Sequence, residues 1–105
     1  MNEISITGKK YDQDKVRMDL LPFDSLEEIA KVLTFGAKKY GENNWKLVNN
    51  SMIRYESALL RHITKYKNGE IYDKETGLQH LAHAGCCLLF MLHFETDKIK
   101  EEYSK

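Results

Sequence analysis

From Leu81 to Phe94 the chain is apolar on almost every side: Leu81, Ala82, Ala84, Gly85, Cys86, Cys87, Leu88, Leu89, Phe90, Met91, Leu92 and Phe94 are interrupted only by His83 and His93. A helix that is apolar all round has to be covered all round. Two partner helices within one short chain cannot do this, so the uncovered side predicts burial against a second copy. The expected fold class is therefore all-α: a three-helix chain that completes a helical bundle by homo-oligomerisation through the helix at 77–100.

Helical periodicity repeats three times, separated by Gly and Asn clusters, and the chain has a single proline. The first helix is expected after Pro22, with Asp24 as N-cap and Glu27 at capping-box spacing. Leu26, Ile29, Ala30, Leu33, Ala37 and Tyr40 form its stripe, and Gly41 stops it. The second runs from Ser51 to Lys67, with Met52, Tyr55, Leu59, Ile63 and Tyr66 on its core face and Asn68-Gly69 closing it. The third starts from Thr76, with Gln79 reaching back as its capping-box partner, and extends to about Tyr103. Residues 1–22 lack this period; Ile4-Ser5-Ile6-Thr7 alternates briefly, so an extended N-terminal arm or a short hairpin is expected there.

At 105 residues the chain is one domain over 1–105, the arm at 1–22 and the helical part at 23–105. Sixteen basic and sixteen acidic side chains cancel, so no global field draws it to a membrane surface, and no stable nucleic-acid binding is expected. Phosphate binding would have to come from local clusters. No apolar stretch reaches the roughly 18 residues of a membrane span, and the start Met1-Asn2-Glu3-Ile4 lacks a secretory pattern. Cys86 and Cys87 are neighbours pointing about 100° apart on a helix, which disfavours a disulfide between them and suits buried thiols. A cytoplasmic protein is expected.

Chemistry concentrates in one stretch: Arg61-His62, Gly69-Glu70, then Asp73 to His83. His80 and His83 lie three apart, on one face of a helix start, and could hold one cation. Asp73 and Glu75 lie just upstream, where carboxylates also suit the positive end of the helix dipole. His62 would face the same corner if the second and third helices pack antiparallel. Glu27, Glu28 and Glu56 are further oxygen ligands if they turn inward, of the kind Mg²⁺ or Mn²⁺ prefers. Three basic groups could meet phosphates: Lys15 and Arg17 in the arm, Lys38 and Lys39, and Arg54 with Arg61, which share a helix face. Asn44 and Trp45 offer an amide and an aromatic plane for a base, or else Trp45 plugs the end of the bundle.

Together, Lys10 to Pro22, Leu33 to Gly41 with Asn44-Trp45, Ala58 to His62, and Asp73 to His83 closely resemble the phage-type dATP/dGTP diphosphohydrolase domain. That domain is grouped with the MazG-like all-α nucleoside-triphosphate pyrophosphohydrolases, and the likeness covers roughly residues 9–94. It implies hydrolysis of a purine dNTP to its monophosphate and pyrophosphate, with Mg²⁺ or Mn²⁺ as cofactor. By the same resemblance Glu27, Glu28, Glu56, Asp73, Glu75, His80 and His83 are the pool of metal ligands. Glu28, Glu75 and His62 are the candidate catalytic groups. Lys15, Arg17, Lys38, Lys39, Arg54 and Arg61 are phosphate contacts, and Asn44 and Trp45 nucleoside contacts. The chain departs from the EExxE and ExxD metal pattern of the wider superfamily: Lys31 stands where the third glutamate would be, and His80-xx-His83 where ExxD is expected. Two other readings keep the same corner, a His/Asp phosphohydrolase with a different product and a non-catalytic nucleotide-binding module.

Overall fold

The computed structural model describes residues 8–104. Three α-helices account for most of them: α1 (Phe23–Tyr40), α2 (Ser51–Lys67) and α3 (His80–Tyr103). Single 3-10 turns at Met18–Leu20 and Asn44–Leu47 precede α1 and α2. No strand occurs among the described residues; one isolated antiparallel bridge joins Tyr72 and Gln79. The fold is all-α, as the periodicity required. Residues 8–22 are exposed throughout, while the alternating Ile4 to Thr7 lies outside the described residues.

α3 is the shared wall. α2 packs along it extensively and α1 less so, and α1 and α2 scarcely touch each other. Gly85 explains how α1 approaches: a Cβ there would lie 2.9 Å from Ile29 Cδ1, so the bare backbone makes the seat for that side chain. The predicted stripes are present with gaps. Ala30 and Tyr40 of α1 and Met52 and Tyr66 of α2 are exposed, whereas Leu26, Ile29, Leu33 and Ala37 of α1 and Tyr55, Leu59 and Ile63 of α2 are partly buried.

Two helix starts differ from expectation. α1 begins at Phe23 with Pro22 at the N-cap, and no side chain caps it. The fixed proline φ, here −76°, already suits a helix start. Asp24 therefore falls inside the first turn, where its Oδ1 accepts the Ser25 N–H at 2.8 Å instead of serving a capping box with Glu27. α3 begins three residues late, at His80 with Gln79 rather than Thr76 at its N-cap. The intervening residues form a tight reversal: Asp73 N–H donates to Leu78 O at 2.8 Å, Gly77 turns at φ +73°, and His80 N–H donates to Ile71 O at 2.9 Å. A positive φ is open to glycine at no steric cost, so Gly77 is the pivot. Thr76 Oγ1 is used within this turn, accepting the Leu78 N–H at 3.1 Å, and Gln79 turns to Glu28.

The core is small. Among the described residues only His80, Ala82, Ala84, Cys86 and Cys87 are fully buried, all on α3. Leu88, Leu89 and Leu92 of the same helix remain exposed, as do Ile53 and Leu60 of α2. The accessible area of 8604 Å² exceeds the about 6,100 Å² of a compact monomer of this mass. Likewise the radius of gyration is 18.5 Å, where a compact chain of this length has about 13 Å. No helix among the described residues is long and apolar enough to cross a membrane.

Candidate metal centre and nucleotide groove

The turn between α2 and α3 folds back onto both helices and gathers six polar side chains around the start of α3. His80, completely buried, is at the centre. Its Nε2 contacts Glu70 Oε2 at 2.6 Å and its Nδ1 faces His62 Nδ1 at 2.9 Å. His83 stacks on His62 with ring centroids 4.5 Å apart and planes within 9°, while its Nε2 meets Thr76 Oγ1 at 2.7 Å. Asp73 holds the turn: its Oδ1 accepts the N–H groups of Glu75 and Thr76, both at 2.9 Å. No hydrogen bond to Asp73 Oδ2 occurs among the described residues, so that oxygen is free for another partner.

The local electrostatics keep these groups in ligand form. Burial, then the neighbouring His83 and His80 rings, push the His62 pKa down to about 4. His83 is lowered as well, again chiefly by burial. Burial raises Asp73, but the N–H groups of Thr76 and Glu75 outweigh it and leave the carboxyl below its ordinary value. The hydrogen bond from His80 draws Glu70 below the usual carboxylate range. At neutral pH the corner therefore presents neutral His62 and His83 rings and ionised acids.

One donor atom each from His62, Asp73 and His80 lies within 4.8 Å of the other two. Two imidazole nitrogens and a carboxylate oxygen make a mixed set that a borderline divalent cation accepts. The two Nδ1 atoms share a hydrogen bond at 2.9 Å, and that spacing is also close to what adjacent ligands of an octahedral ion span when each bond is about 2.1 Å. The residues present thus fit a divalent metal ion.

The remaining acids expected in the ligand pool are elsewhere. Glu28 Oε2 pairs with Lys31 at 2.7 Å, and its Oε1 accepts from Gln79 Nε2 at 3.3 Å. Glu27 and Glu28 line a separate shallow depression with Asp24, Gln79 and Leu81. Glu75 pairs with Lys39 at 2.5 Å on the surface, and Glu56 is exposed. His83 belongs to the corner as the stacking partner of His62 and stands outside the group of three donors. Glu70 and Thr76 hold the histidines in place. Glu70 had a signal in the sequence, an acid directly after the glycine that ends α2, but nothing in its spacing pointed to His80.

A groove of about 740 Å³ lies where α1 and α2 diverge over α3. Leu33, Gly36, Ala37, Ala58, Cys86 and Phe90 supply apolar lining, and Asn43, Asn44, Arg54 and Arg61 supply polar groups. Arg54 donates only a long 3.4 Å bond to Asn49 O, and Arg61 donates to Ser57 Oγ at 2.9 Å. Both guanidiniums are exposed. Trp45 is the plug considered above: it stacks on Phe90 at 4.2 Å with planes within 10°, and meets His93 and Phe94 edge-on. It lines the groove but already spends one face on the bundle. Arg17 is bound bidentately by Asp19, and Lys15 and Lys38 stand exposed outside the groove lining.

Arg61, which lines the groove, and His62, which belongs to the corner, are neighbours on α2 and point about 100° apart, so the two features lie on adjoining sides of that helix. An all-α chain with this combination is a candidate phosphate-chemistry domain. The family described as dATP/dGTP diphosphohydrolase, N-terminal, matches residues 5–103, and the chain belongs to it. It is 38% identical over 86 residues to a dATP/dGTP diphosphohydrolase of Salmonella phage PMBT28, a stretch that is 82% of this chain and 29% of the relative. The chain therefore spans less than a third of that protein's length. No solved structure matches it significantly.

Proposed function

We propose that this chain hydrolyses purine deoxynucleoside triphosphates, dATP or dGTP, to the monophosphate and pyrophosphate in a divalent-metal-dependent reaction. The observation that carries the reading is the adjacency of Arg61 in the groove and His62 in the donor corner. A triphosphate lying along the groove would meet Arg54 and Arg61, which are seven residues and thus about 10 Å of helix apart. Its phosphates would then run toward His62, Asp73 and His80. The base would lie toward Asn43, Asn44 and the rim of Trp45. The relative's name supports the substrate class.

A divalent ion at the corner, Mg²⁺ or Mn²⁺, would offset charge on phosphate oxygens and lower the pKa of a bound water. The chain's own residues do the rest. His62, neutral with a pKa of about 4, offers a lone pair but accepts a proton poorly at neutral pH, so it serves better as a ligand than as a base. Asp73 keeps Oδ2 available because Oδ1 is committed to the turn. Arg54 and Arg61 clamp the phosphates, and the apolar lining of the groove excludes water from the sugar and base.

The active form in this reading is a homo-oligomer in the cytoplasm. Leu88, Leu89 and Leu92 of α3 are the natural seam.

Incubating the purified protein with each of the four dNTPs and Mg²⁺ or Mn²⁺, then identifying products, tests the reading. Pyrophosphate with dAMP or dGMP is expected. The imidazole-rich donor set suits a His/Asp phosphohydrolase equally well on chemistry, and release of triphosphate or orthophosphate would favour that second reading. No turnover with any dNTP would leave a binding module and overturn both.

A further inference from the structure

We propose that Glu70 is a positioning residue of this centre: it fixes buried His80 as the Nε2–H tautomer, so that the Nδ1 atoms of His80 and His62 form a two-nitrogen seat preferring Mn²⁺ or a later first-row ion to Mg²⁺. The proposal rests on the metal-dependent reading above and adds which ion the corner selects and what holds it ready.

Four observations carry it. A carboxylate can only accept, so the 2.6 Å contact with Glu70 Oε2 places a proton on His80 Nε2. In the neutral ring the lone pair is then on Nδ1, which in the metal-free chain accepts the His62 Nδ1–H at 2.9 Å; a bound cation takes the place of that shared proton as His62 shifts its own proton to Nε2. His80 is completely buried, so its ring has no water to turn toward. The backbone around the pair is fixed at both ends, by Glu70 N–H to Lys65 O at 3.0 Å and His80 N–H to Ile71 O at 2.9 Å.

The selectivity follows from donor type. Mg²⁺ takes oxygen ligands and keeps its waters, whereas imidazole suits transition ions. A carboxylate behind a ligating histidine both orients the ring and raises its basicity, and losing such a partner typically costs about 10- to 100-fold in metal affinity. A carboxylate kept only for surface solubility would have no such effect. Among the described residues Glu70 has one other side-chain partner, Lys74 at 3.8 Å, which provides the control.

The test uses the full chain freed of metal with EDTA. Long-range ¹H–¹⁵N spectra of the histidine rings at neutral pH should show His80 as the Nε2–H tautomer in the wild type, and a mixture or the other tautomer in Glu70→Ala. Calorimetric titration should show Co²⁺ and Mn²⁺ binding more tightly than Mg²⁺, with Co²⁺ also read by its visible absorption. Glu70→Ala should weaken Co²⁺ by about 10- to 100-fold at unchanged far-ultraviolet circular dichroism. Lys74→Ala should leave both readouts at wild-type values. If the alanine variant does not fold, Glu70→Gln, which retains an acceptor oxygen but no charge, should weaken Co²⁺ by a smaller factor.

A wild-type His80 protonated on Nδ1, Mg²⁺ binding as tightly as Co²⁺, or Glu70 variants that bind Co²⁺ like the wild type would each overturn the proposal. A wild type that binds no divalent ion would remove the metal-dependent reading and this inference with it. Tight, Glu70-dependent Co²⁺ binding without dNTP turnover would refute the hydrolase reading alone and leave the positioning role standing.

Discussion

Acidifying the metal-free protein through the histidine range should weaken it, and His62 should set much of the loss. Its ring lies among His80, His83, Asp73 and Arg61, and burial followed by the two neighbouring rings brings its pKa from 6.5 to about 4. Above pH 6.5 the folded and unfolded chains both carry the neutral ring, and its contribution is fully present. Between about 6.5 and 4 the unfolded chain takes up a proton that the folded one refuses, so the free energy of unfolding falls with pH. Below about 4 both states are protonated and the loss is complete. A gap of about 2.5 units sets a ceiling of about 3 kcal/mol. Solvent reaches part of the ring, and screening brings this to roughly 1–2 kcal/mol. His83 is lowered in the same sense and adds to it. Glu70 and Asp73 are lowered carboxyls whose stabilising effect disappears in a more acid window, below their ordinary values of 4.5 and 3.8.

Urea unfolding at fixed protein concentration, in EDTA, between pH 7.5 and 5 isolates the histidine window. The wild type should lose about 1 kcal/mol across it, and His62→Gln should flatten the slope. Ring-proton NMR should place the His62 midpoint far below the ordinary value. A His62 that titrates near 6.5, or a glutamine variant with the wild-type slope, would refute the claim that the corner holds this ring neutral.

Trp45→Ala removes a stacked pair with Phe90 and two edge contacts, and for a half-buried ring should cost about 2–3 kcal/mol, a drop of roughly 10 °C or more in the melting midpoint by calorimetry. Arg61→Ala should raise KM for a purine dNTP by about tenfold or more while leaving the melting midpoint within a few degrees, because its guanidinium is exposed and its one protein bond is to Ser57. Leu88→Glu combined with Leu92→Glu places two charges on one exposed face of α3; sedimentation should then show a monomer where the wild type shows an oligomer.

The helices were legible because their signal is redundant. Losing Ala30 or Tyr40 from the α1 stripe to solvent leaves the 3.6-residue period intact. The starts of α1 and α3 were not legible, because capping boxes at Asp24 and Thr76 competed with a proline and with a turn that the same residues also encode. Sequence spacing drew attention to Asp73 through His83, the stretch from which the structure brings Asp73 and His80 together with His62. It could not say that His83 would stack rather than join the donors, or that Glu70 would reach His80, because both depend on a reversal pivoting at Gly77. The acids of α1 illustrate the converse. Glu27-Glu28 looked like half of a metal motif, yet Glu28 is turned to Lys31 and Gln79 on a different part of the surface.

Ion pairing by itself does not exclude those acids, since an exposed pair such as Glu75 with Lys39 is easily released when a stronger partner arrives. Position is the stronger discriminator. A ligand set needs donors that converge without rebuilding the backbone, and here convergence follows from two helices and the turn between them: α2 delivers His62, the Asp73 turn leaves an oxygen free, and the first residue of α3 is His80. Because Arg61 precedes His62, a rotation of α2 that moves the corner must also move the groove wall. The proposed phosphate clamp and cation seat thereby share one wall, α2, and a substitution that loosens α2 against α3, such as Leu59→Ala, should weaken nucleotide and metal binding together rather than either alone.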